Sequence, residues 1–328
     1  MDQFRTQLPF SAFPFQIDHT QRLFLIGSCF TENIGERLKA NKFVVNLNPF
    51  GILFNPFSIV VAFERMLSQR TYTADDLLQA GEYWVSLDHH SRFSRRNRQE
   101  SVEAINSSLR NGSETLRQAA VIFITLGTSW VYRHNNTGHI VANCHKLPAS
   151  EFSKELLSAQ DVHLTLRHIP QMLRANGLNP QVVFTVSPVR HLKDGFVENQ
   201  RSKAQLISAV HAVVDEFENC HYFPAYELLM DDLRDYRFYA SDMVHPSTQA
   251  VDYVWDHFKA AFFSDETRII CDEVRSVVQA AQHKPIDPES NSFQRFARKQ
   301  LSLIQGLNKK YPMLDLSAEK HHFESLLL

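Results

Sequence analysis

The chain has 328 residues and a mass of 37.9 kDa, with 34 basic and 36 acidic side chains and a net charge of −2. This near balance argues against a general surface for nucleic acid or for an anionic membrane. The longest apolar run, residues 119–126, is far shorter than the ~18 residues that a membrane-spanning helix needs.

Short apolar runs alternate with amphipathic stretches along most of the chain. The runs predict strands at residues 23–26, 43–47, 121–126, 181–186 and 221–223. The amphipathic stretches predict helices at residues 31–41, 57–67, 101–119, 156–175, 200–217 and 227–233. Because helices separate the strands, we expect an α/β fold with about five parallel strands, covered by helices on both faces.

The C-terminal part follows a different pattern. Residues 284–290 (KPIDPES) contain two prolines and end the preceding helix, while residues 293–307 predict a further helix. We expect a main domain over residues 1–283 and an accessory helical extension over residues 284–328, since fewer than ~50 residues rarely build a core of their own.

A serine follows the first predicted strand directly, in the tetrapeptide GSCF at residues 27–30. In parallel α/β sheets ligands bind beyond the carboxyl ends of the strands, which is where the Ser28 hydroxyl would lie. A serine before a helix is also a common N-cap. Taken alone, the tetrapeptide is therefore a weak indication of catalysis.

The second candidate motif is SDMVHP at residues 241–246. Asp242 and His245, three residues apart in a loop, can project to the same side, and Pro246 holds His245 outside the following helix. A serine nucleophile needs such a base with an orienting carboxylate. The alternative interpretation is an aspartate that caps a turn next to an ordinary loop histidine.

Together and in this order, the two motifs resemble the GSCFA-domain proteins of the SGNH (GDSL-like) hydrolase superfamily, from about residue 24 to residue 254. Thr31 stands where the family name has alanine. The resemblance implies a three-layer α/β/α flavodoxin-like fold, with the main domain as the catalytic domain. It also implies Ser28 as nucleophile, His245 as base and Asp242 as the carboxylate that orients His245.

The superfamily also implies an oxyanion hole. Residues 48–51 (NPFG) fit its inner glycine, so we expect the backbone N–H groups of Ser28 and Gly51 to be two donors. The third donor is an asparagine in the superfamily, but Ser129 stands at that position here, with Thr128 and Asn143 as alternatives. Because a lost donor costs ~10²–10³ in rate, a weak or silenced enzyme is one possible outcome.

Other polar residues follow predicted strands. Asn143 and His145 belong either to a pocket rim or to an exposed turn. Arg190 and His191 come after the strand at residues 181–186 and are expected to face the crevice, where Arg190 could hold a carboxylate or phosphate. Two further residues, Asn199 and Lys203, are weaker candidates of the same kind.

Cys29 is the rival of Ser28 as nucleophile, because a thiolate at a helix N-terminus is intrinsically more reactive than a hydroxyl. Consecutive residues leaving a strand point in different directions, so only one of the two side chains can face His245. The family resemblance favours Ser28.

No metal site and no cofactor are predicted. The 16 histidines lack the spacing that places two ligands on one helical face, and the basic run at residues 92–98 is typical of a solvated loop rather than of a nucleic-acid site. The four scattered cysteines form no CxxC pair, and the first thirty residues lack the pattern of a secretory signal, so we expect a cytoplasmic protein.

These observations predict a serine esterase or acyl hydrolase with a Ser-His-Asp triad. Its expected partner is a small-molecule or carbohydrate ester, including an O-acetyl carbohydrate, and neither nucleic acid nor a membrane. The alternatives are an acyltransferase that uses the same triad and a catalytically weak binding protein on the hydrolase fold.

Overall fold

The structure, a computed structural model, describes residues 6–9, 13–283 and 285–327. Its central feature is a five-stranded parallel sheet with the strand order β10-β9-β5-β1-β2 and with flanking helices. These strands are Arg22–Gly27 (β1), Val44–Leu47 (β2), Ala119–Leu126 (β5), Gln181–Val186 (β9) and Cys220–Tyr222 (β10). The predicted α/β fold with about five parallel strands is confirmed.

The three central strands, β9, β5 and β1, are buried on both faces, as their apolar runs require. In β1, Phe24 and Ile26 belong to one core cluster, while their neighbours Leu23 and Leu25 are also buried. β5 and β9 pair in register up to Leu126 and Val186. The residues that follow these two strands therefore leave the sheet at the same edge.

Two small antiparallel sheets were not expected. Leu78–Ala80 (β3) pairs with Tyr83–Val85 (β4), and Trp130–His134 (β6) pairs with both Ile140–Val141 (β7) and Phe152–Leu156 (β8). Strands of two to five residues are too short for a clear alternation of apolar and polar side chains.

The helices account for most of the remaining chain. They are Cys29–Ala40 (α1), Pro56–Ser68 (α2), Arg98–Gln118 (α3), Ala159–Leu166 (α4), His168–Ala175 (α5), Phe196–Glu216 (α6), Ala225–Glu227 (α7), Thr248–Phe262 (α8), Asp265–Gln282 (α9), Asn291–Lys310 (α10) and Ser317–Ser325 (α11). A π-helical turn, Leu228–Leu233, follows α7. Within the described ranges, no helix has the length and apolar character needed to cross a bilayer.

The prediction of a single helix over residues 156–175 is wrong. Leu156 ends β8, and two helices, α4 and α5, meet at Arg167. Pro170 explains the break, because a proline has no N–H to donate to the carbonyl four residues earlier and its ring crowds that carbonyl.

Contacts divide the chain into two compact units. One contains residues 6–9, 23–34 and 46–255, and the other contains residues 13–22, 35–45, 256–283 and 285–327. Within the second unit, α9, α10 and α11 form a helical region around Val274, Ile304 and Phe323. The C-terminal helical region is thus confirmed, while the domain boundary at residue 284 stays a prediction.

His89 makes the stability of the first unit depend on pH. Its ring is buried, stacks on Phe50 with the centroids 4.5 Å apart, and pairs through Nδ1 with Ser86 Oγ at 2.9 Å. Burial lowers the pKa of His89 to about 3. Only the unfolded chain therefore gains a proton at this position as the pH falls from about 6.5 towards 3, and roughly 1.4 kcal/mol of stability is lost per pH unit across that window.

Denaturant unfolding at pH 7, 5.5 and 4.5 checks this expectation. His89→Gln, which cannot titrate, should have a flatter dependence of the unfolding free energy on pH than the wild type. His168→Gln at an exposed position is the matched control and should follow the wild type. Parallel curves for the wild type and His89→Gln would contradict the prediction.

Candidate active site

Ser28 lies in the bend between β1 and α1, at the carboxyl edge of the sheet. A Cβ on Gly27 (φ +142°) would lie 2.1 Å from the carbonyl oxygen of Thr125, so only glycine allows β1 to approach β5 this closely. Ser28 is 1% exposed, and its Oγ has no hydrogen-bond partner among the described residues. A buried hydroxyl without a partner is costly, and such groups are often retained for a function.

In the loop at residues 241–246, Asp242 and His245 form a hydrogen-bonded pair. His245 Nδ1–H donates to Asp242 Oδ2 at 2.7 Å, and the backbone N–H groups of Val244 and His245 donate to Asp242 Oδ1 at 2.9 and 3.0 Å. The N–H of His245 is the main reason that the pKa of Asp242 is lowered to about 2, so its carboxylate is ionised at neutral pH. Met243, at φ +57°, turns the chain back towards Asp242.

One backbone contact ties this loop to the sheet. The N–H of Arg190, four residues beyond β9, donates to the carbonyl oxygen of Val244 at 3.4 Å. His245 is therefore held near the edge where Ser28 lies. No hydrogen bond joins Ser28 Oγ to His245, and both side chains of the Asp242–His245 pair are about half exposed. The structure assembles this pair but does not link it to Ser28 by a hydrogen bond.

The backbone groups predicted for the oxyanion hole are already engaged. The N–H of Ser28 donates to the carbonyl oxygen of Thr125 at 3.0 Å, and the N–H of Gly51 donates to that of Asn48 at 2.8 Å. Either group would have to share or exchange its acceptor in order to bind a substrate oxygen. The roles of Ser28 and Gly51 as oxyanion donors stay a prediction, and these two hydrogen bonds argue against it.

The predicted side-chain donors differ in accessibility. Ser129 is fully buried, and its N–H and Oγ both donate to Ser202, so it faces away from any ligand. Thr128 shares a 2.9 Å hydrogen bond with the same hydroxyl of Ser202. Asn143 uses its Oδ1 to accept the N–H of His145 at 2.8 Å, which leaves its amide nitrogen for a ligand.

A cleft of about 650 Å³ adjoins this edge of the sheet. Four of the residues predicted for the site line it, Thr128, Asn143, His145 and His191. Ser28, Asp242 and His245 are not among its lining residues. Trp130, Tyr132 and Phe152, which belong to the unexpected strands β6 and β8, supply aromatic walls.

The adjacent residues Arg190 and His191 line different clefts: His191 lines the cleft of about 650 Å³, and Arg190 does not. Burial, with the charge of Lys203 as the next cause, lowers the pKa of His191 to about 4, so the ring is neutral at physiological pH. Arg190 lines a second cleft of about 500 Å³ beside the His245 loop, together with Tyr236, Tyr239 and Met243.

Cys29 is a poor nucleophile in this setting. Burial and the nearby charge of Glu32 raise the pKa of its thiol, although the charge of Lys203 and the first amides of α1 act in the opposite direction. A thiol that stays protonated reacts slowly. The electrostatics agree with the choice of Ser28 over Cys29.

The polar face of α6 is the part of the site that sequence reasoning underestimated. Asn199, Ser202 and Lys203 are all buried and contact the chain that follows β5 and β9. Ser202 was not singled out at all. These three polar residues lie on the same helix face as the buried apolar residues of α6, and this spacing in the sequence could have predicted that they are buried.

Comparison with protein families decides the classification. The GSCFA family matches residues 22–258, which include both motifs. The chain belongs to the GSCFA family. A second match, to the C-terminal domain of GSCFA domain proteins, covers residues 274–328. The resemblance to GSCFA-domain proteins that the sequence motifs indicated is confirmed.

Solved structures of other proteins align with this chain at low similarity. A candidate acylhydrolase from Bacteroides fragilis is 12% identical, with a TM-score of 0.38 over 80% of this GSCFA protein and 92% of that chain. An acetyl xylan esterase from Butyrivibrio proteoclasticus is also 12% identical, with a TM-score of 0.38 over 73% and 63% of the two chains. A carbohydrate esterase of family 3 from Talaromyces cellulolyticus is 10% identical, with a TM-score of 0.35 over 77% and 99%. A comparison with curated proteins found no match.

Proposed function

We propose that this GSCFA protein is a serine esterase of the SGNH type. The observation that carries the proposal is the Asp242–His245 pair, held at the same edge of the sheet as the buried, unpartnered hydroxyl of Ser28. His245 Nε2 makes no hydrogen bond within the described structure and is the ring nitrogen available for proton transfer. Completion of the triad requires that the exposed His245 loop move until Nε2 reaches Ser28 Oγ, and catalytic hydrogen bonds often form only when substrate is bound.

The reaction proceeds in two steps. His245 Nε2 takes the proton of Ser28 Oγ as that oxygen attacks the acyl carbonyl, and the proton then passes to the departing alcohol. A water molecule, activated in the same way, hydrolyses the acyl-serine. Asp242 keeps the proton on His245 Nδ1 and stabilises the imidazolium that forms in both steps.

The oxyanion is the weak point of this site. The N–H groups of Ser28 and Gly51 remain the proposed donors, but each would share its hydrogen with a carbonyl oxygen. A shared donor stabilises the developing charge less than a free one. We therefore expect a slow esterase.

The cleft of about 650 Å³ supports a carbohydrate ester as substrate. Its aromatic walls, Trp130, Tyr132 and Phe152, can stack on sugar rings, while Asn143 and Lys193 can bond hydroxyl groups. The volume lies in the range of sites for small molecules.

A fluorophosphonate probe tests the proposal without knowledge of the natural substrate. An activated serine forms a stable phosphonyl adduct, and peptide mass spectrometry locates it. We expect the adduct on Ser28, together with slow hydrolysis of p-nitrophenyl acetate. An unmodified protein, or an adduct at another residue, would show that Ser28 is not an activated nucleophile.

The engaged amides of Ser28 and Gly51 favour one competing function, a binding protein on a hydrolase fold that has lost its catalysis. Such a protein would retain the cleft but would neither react with the probe nor hydrolyse the ester. The same experiment therefore separates the two functions.

A further inference from the structure

Lys203 on α6 is a buried cation that the esterase mechanism does not use. Its side chain is 0% exposed, and Nζ donates to the carbonyl oxygens of Gly127 and Ser187, both at 2.7 Å. No carboxylate forms an ion pair with it in the described ranges. The remaining contact of its ammonium group is with the ring of Tyr226, 5.9 Å from the centroid.

The two carbonyl groups occupy equivalent places in the sheet. Gly127 is the first residue after β5 and Ser187 the first after β9, and these strands pair in register through their last residues. Lys203 therefore joins the ends of two adjacent strands at the edge that carries the site.

Ser28 lies close to this junction. Its N–H donates to the carbonyl oxygen of Thr125, a residue of β5 that precedes Gly127 by two positions. The charge of Lys203 also acts on Cys29, the residue after Ser28, and on His191 in the cleft. The chain beyond Ser187 leads in three residues to Arg190, whose N–H holds the loop of His245.

We propose that Lys203 is a positioning residue of the catalytic centre, which fixes the ends of β5 and β9 and so sets the His245 loop relative to Ser28. The inference rests on the proposed esterase function and assigns no contact between Lys203 and substrate. Its effect is to fix the strand ends from which the chain leads to Ser28 and to the His245 loop, and reaction rates depend strongly on how such groups are positioned.

Stability alone does not explain a lysine at this position. The next buried positions of α6 are apolar: Leu206, Val210 and Val213. Burial of a charge without a counterion is costly, and an apolar side chain of similar size is often at least as stabilising. Burial lowers the pKa of Lys203 to about 7, which reflects that cost.

The test compares Lys203→Met, which is one atom shorter and cannot donate a hydrogen bond, with Val210→Ala on the same buried face of α6. Val210→Ala should lower the melting temperature yet leave the rates of hydrolysis and of phosphonylation within about threefold of the wild type. Lys203→Met should lower kcat and the phosphonylation rate by roughly 10²-fold, the scale of a misplacement of about 1 Å. Its KM should stay within about threefold, because Lys203 does not touch substrate.

Three outcomes would overturn the inference. A wild type that is not phosphonylated overturns the esterase proposal and the inference with it. A reactive wild type with an equally reactive Lys203→Met overturns the inference alone, and so does a loss of rate that Val210→Ala shares.

A measurement on the wild type covers the case in which Lys203→Met fails to fold. At a pH well below 7, where Lys203 is protonated, the buried ammonium protons should exchange slowly with water, so their ¹⁵Nζ resonance is observable by NMR. Phosphonylation of Ser28 should shift this resonance if Lys203 senses the catalytic centre. An unchanged resonance would refute the positioning role.

Discussion

Ser28→Ala should lower kcat for ester hydrolysis by at least ~10⁴-fold, since loss of the nucleophile in a triad enzyme costs up to ~10⁶. The fold should be unaffected, because Ser28 Oγ makes no hydrogen bond within the described structure that the substitution could remove. We therefore expect an unchanged or slightly higher melting temperature, which separates loss of chemistry from loss of folding.

Cys29→Ala is the matched control for Ser28→Ala, because the two residues are adjacent and both are largely covered. With the thiol held protonated by burial and by Glu32, removal of its sulfur should change kcat by no more than a few fold. Steady-state kinetics with p-nitrophenyl acetate measure both variants. An active Ser28→Ala would show that Ser28 is not the nucleophile. An inactive Cys29→Ala would indicate that the thiol of Cys29 is the nucleophile instead.

Asp242→Asn should lower kcat by ~10⁴-fold, the loss seen when the triad carboxylate becomes an amide and its histidine takes the wrong tautomer. The amide oxygen of the substituted side chain could still accept the N–H groups of Val244 and His245, so the loop should keep its shape. Asp231→Asn, at an exposed aspartate paired with Arg234, should retain full activity.

The low pKa of Asp242 gives this prediction a pH signature. A carboxyl whose pKa is lowered to about 2 in the folded protein stays ionised at every pH above that value, so its support of His245 should persist throughout the acid range. The dependence of kcat on pH between pH 4 and 8 should therefore show no step that comes from protonation of Asp242. Full activity of Asp242→Asn at pH 7 would remove Asp242 from the mechanism.

The local sequence determined much of the fold. The apolar runs of β1, β5 and β9 predicted buried parallel strands because both faces of such a sheet are covered. The helix at residues 156–175 was mispredicted although Pro170 is visible in the sequence, since its apolar spacing outweighed one residue that breaks the helix. The strands β6 and β8 were missed because they are too short to show a period, while the apolar residues 140–142 indicated β7.

The sequence predicted those interactions of candidate site residues that form between neighbours in the chain. It did not predict the interactions that depend on residues far away in the chain. The pairing of Asp242 with His245 needs only a tight loop, so its spacing predicted it. The engagement of the Ser28 and Gly51 amides depends on which carbonyl groups lie opposite them. For Ser28 that carbonyl belongs to Thr125, almost a hundred residues away in the chain.

Motifs and apolar periodicity thus determined the fold class, the family, the candidate nucleophile and the pairing of Asp242 with His245, because each is encoded in residues close together along the chain. Only the tertiary structure decided that Ser129 is buried away from the cleft, that aromatic residues of β6 and β8 form its walls, and that Lys203 joins two strand ends. A lysine on an amphipathic helix normally indicates solvent exposure. Burial and hydrogen-bond acceptors are set by the packing of distant segments, and local composition carries little information about that packing.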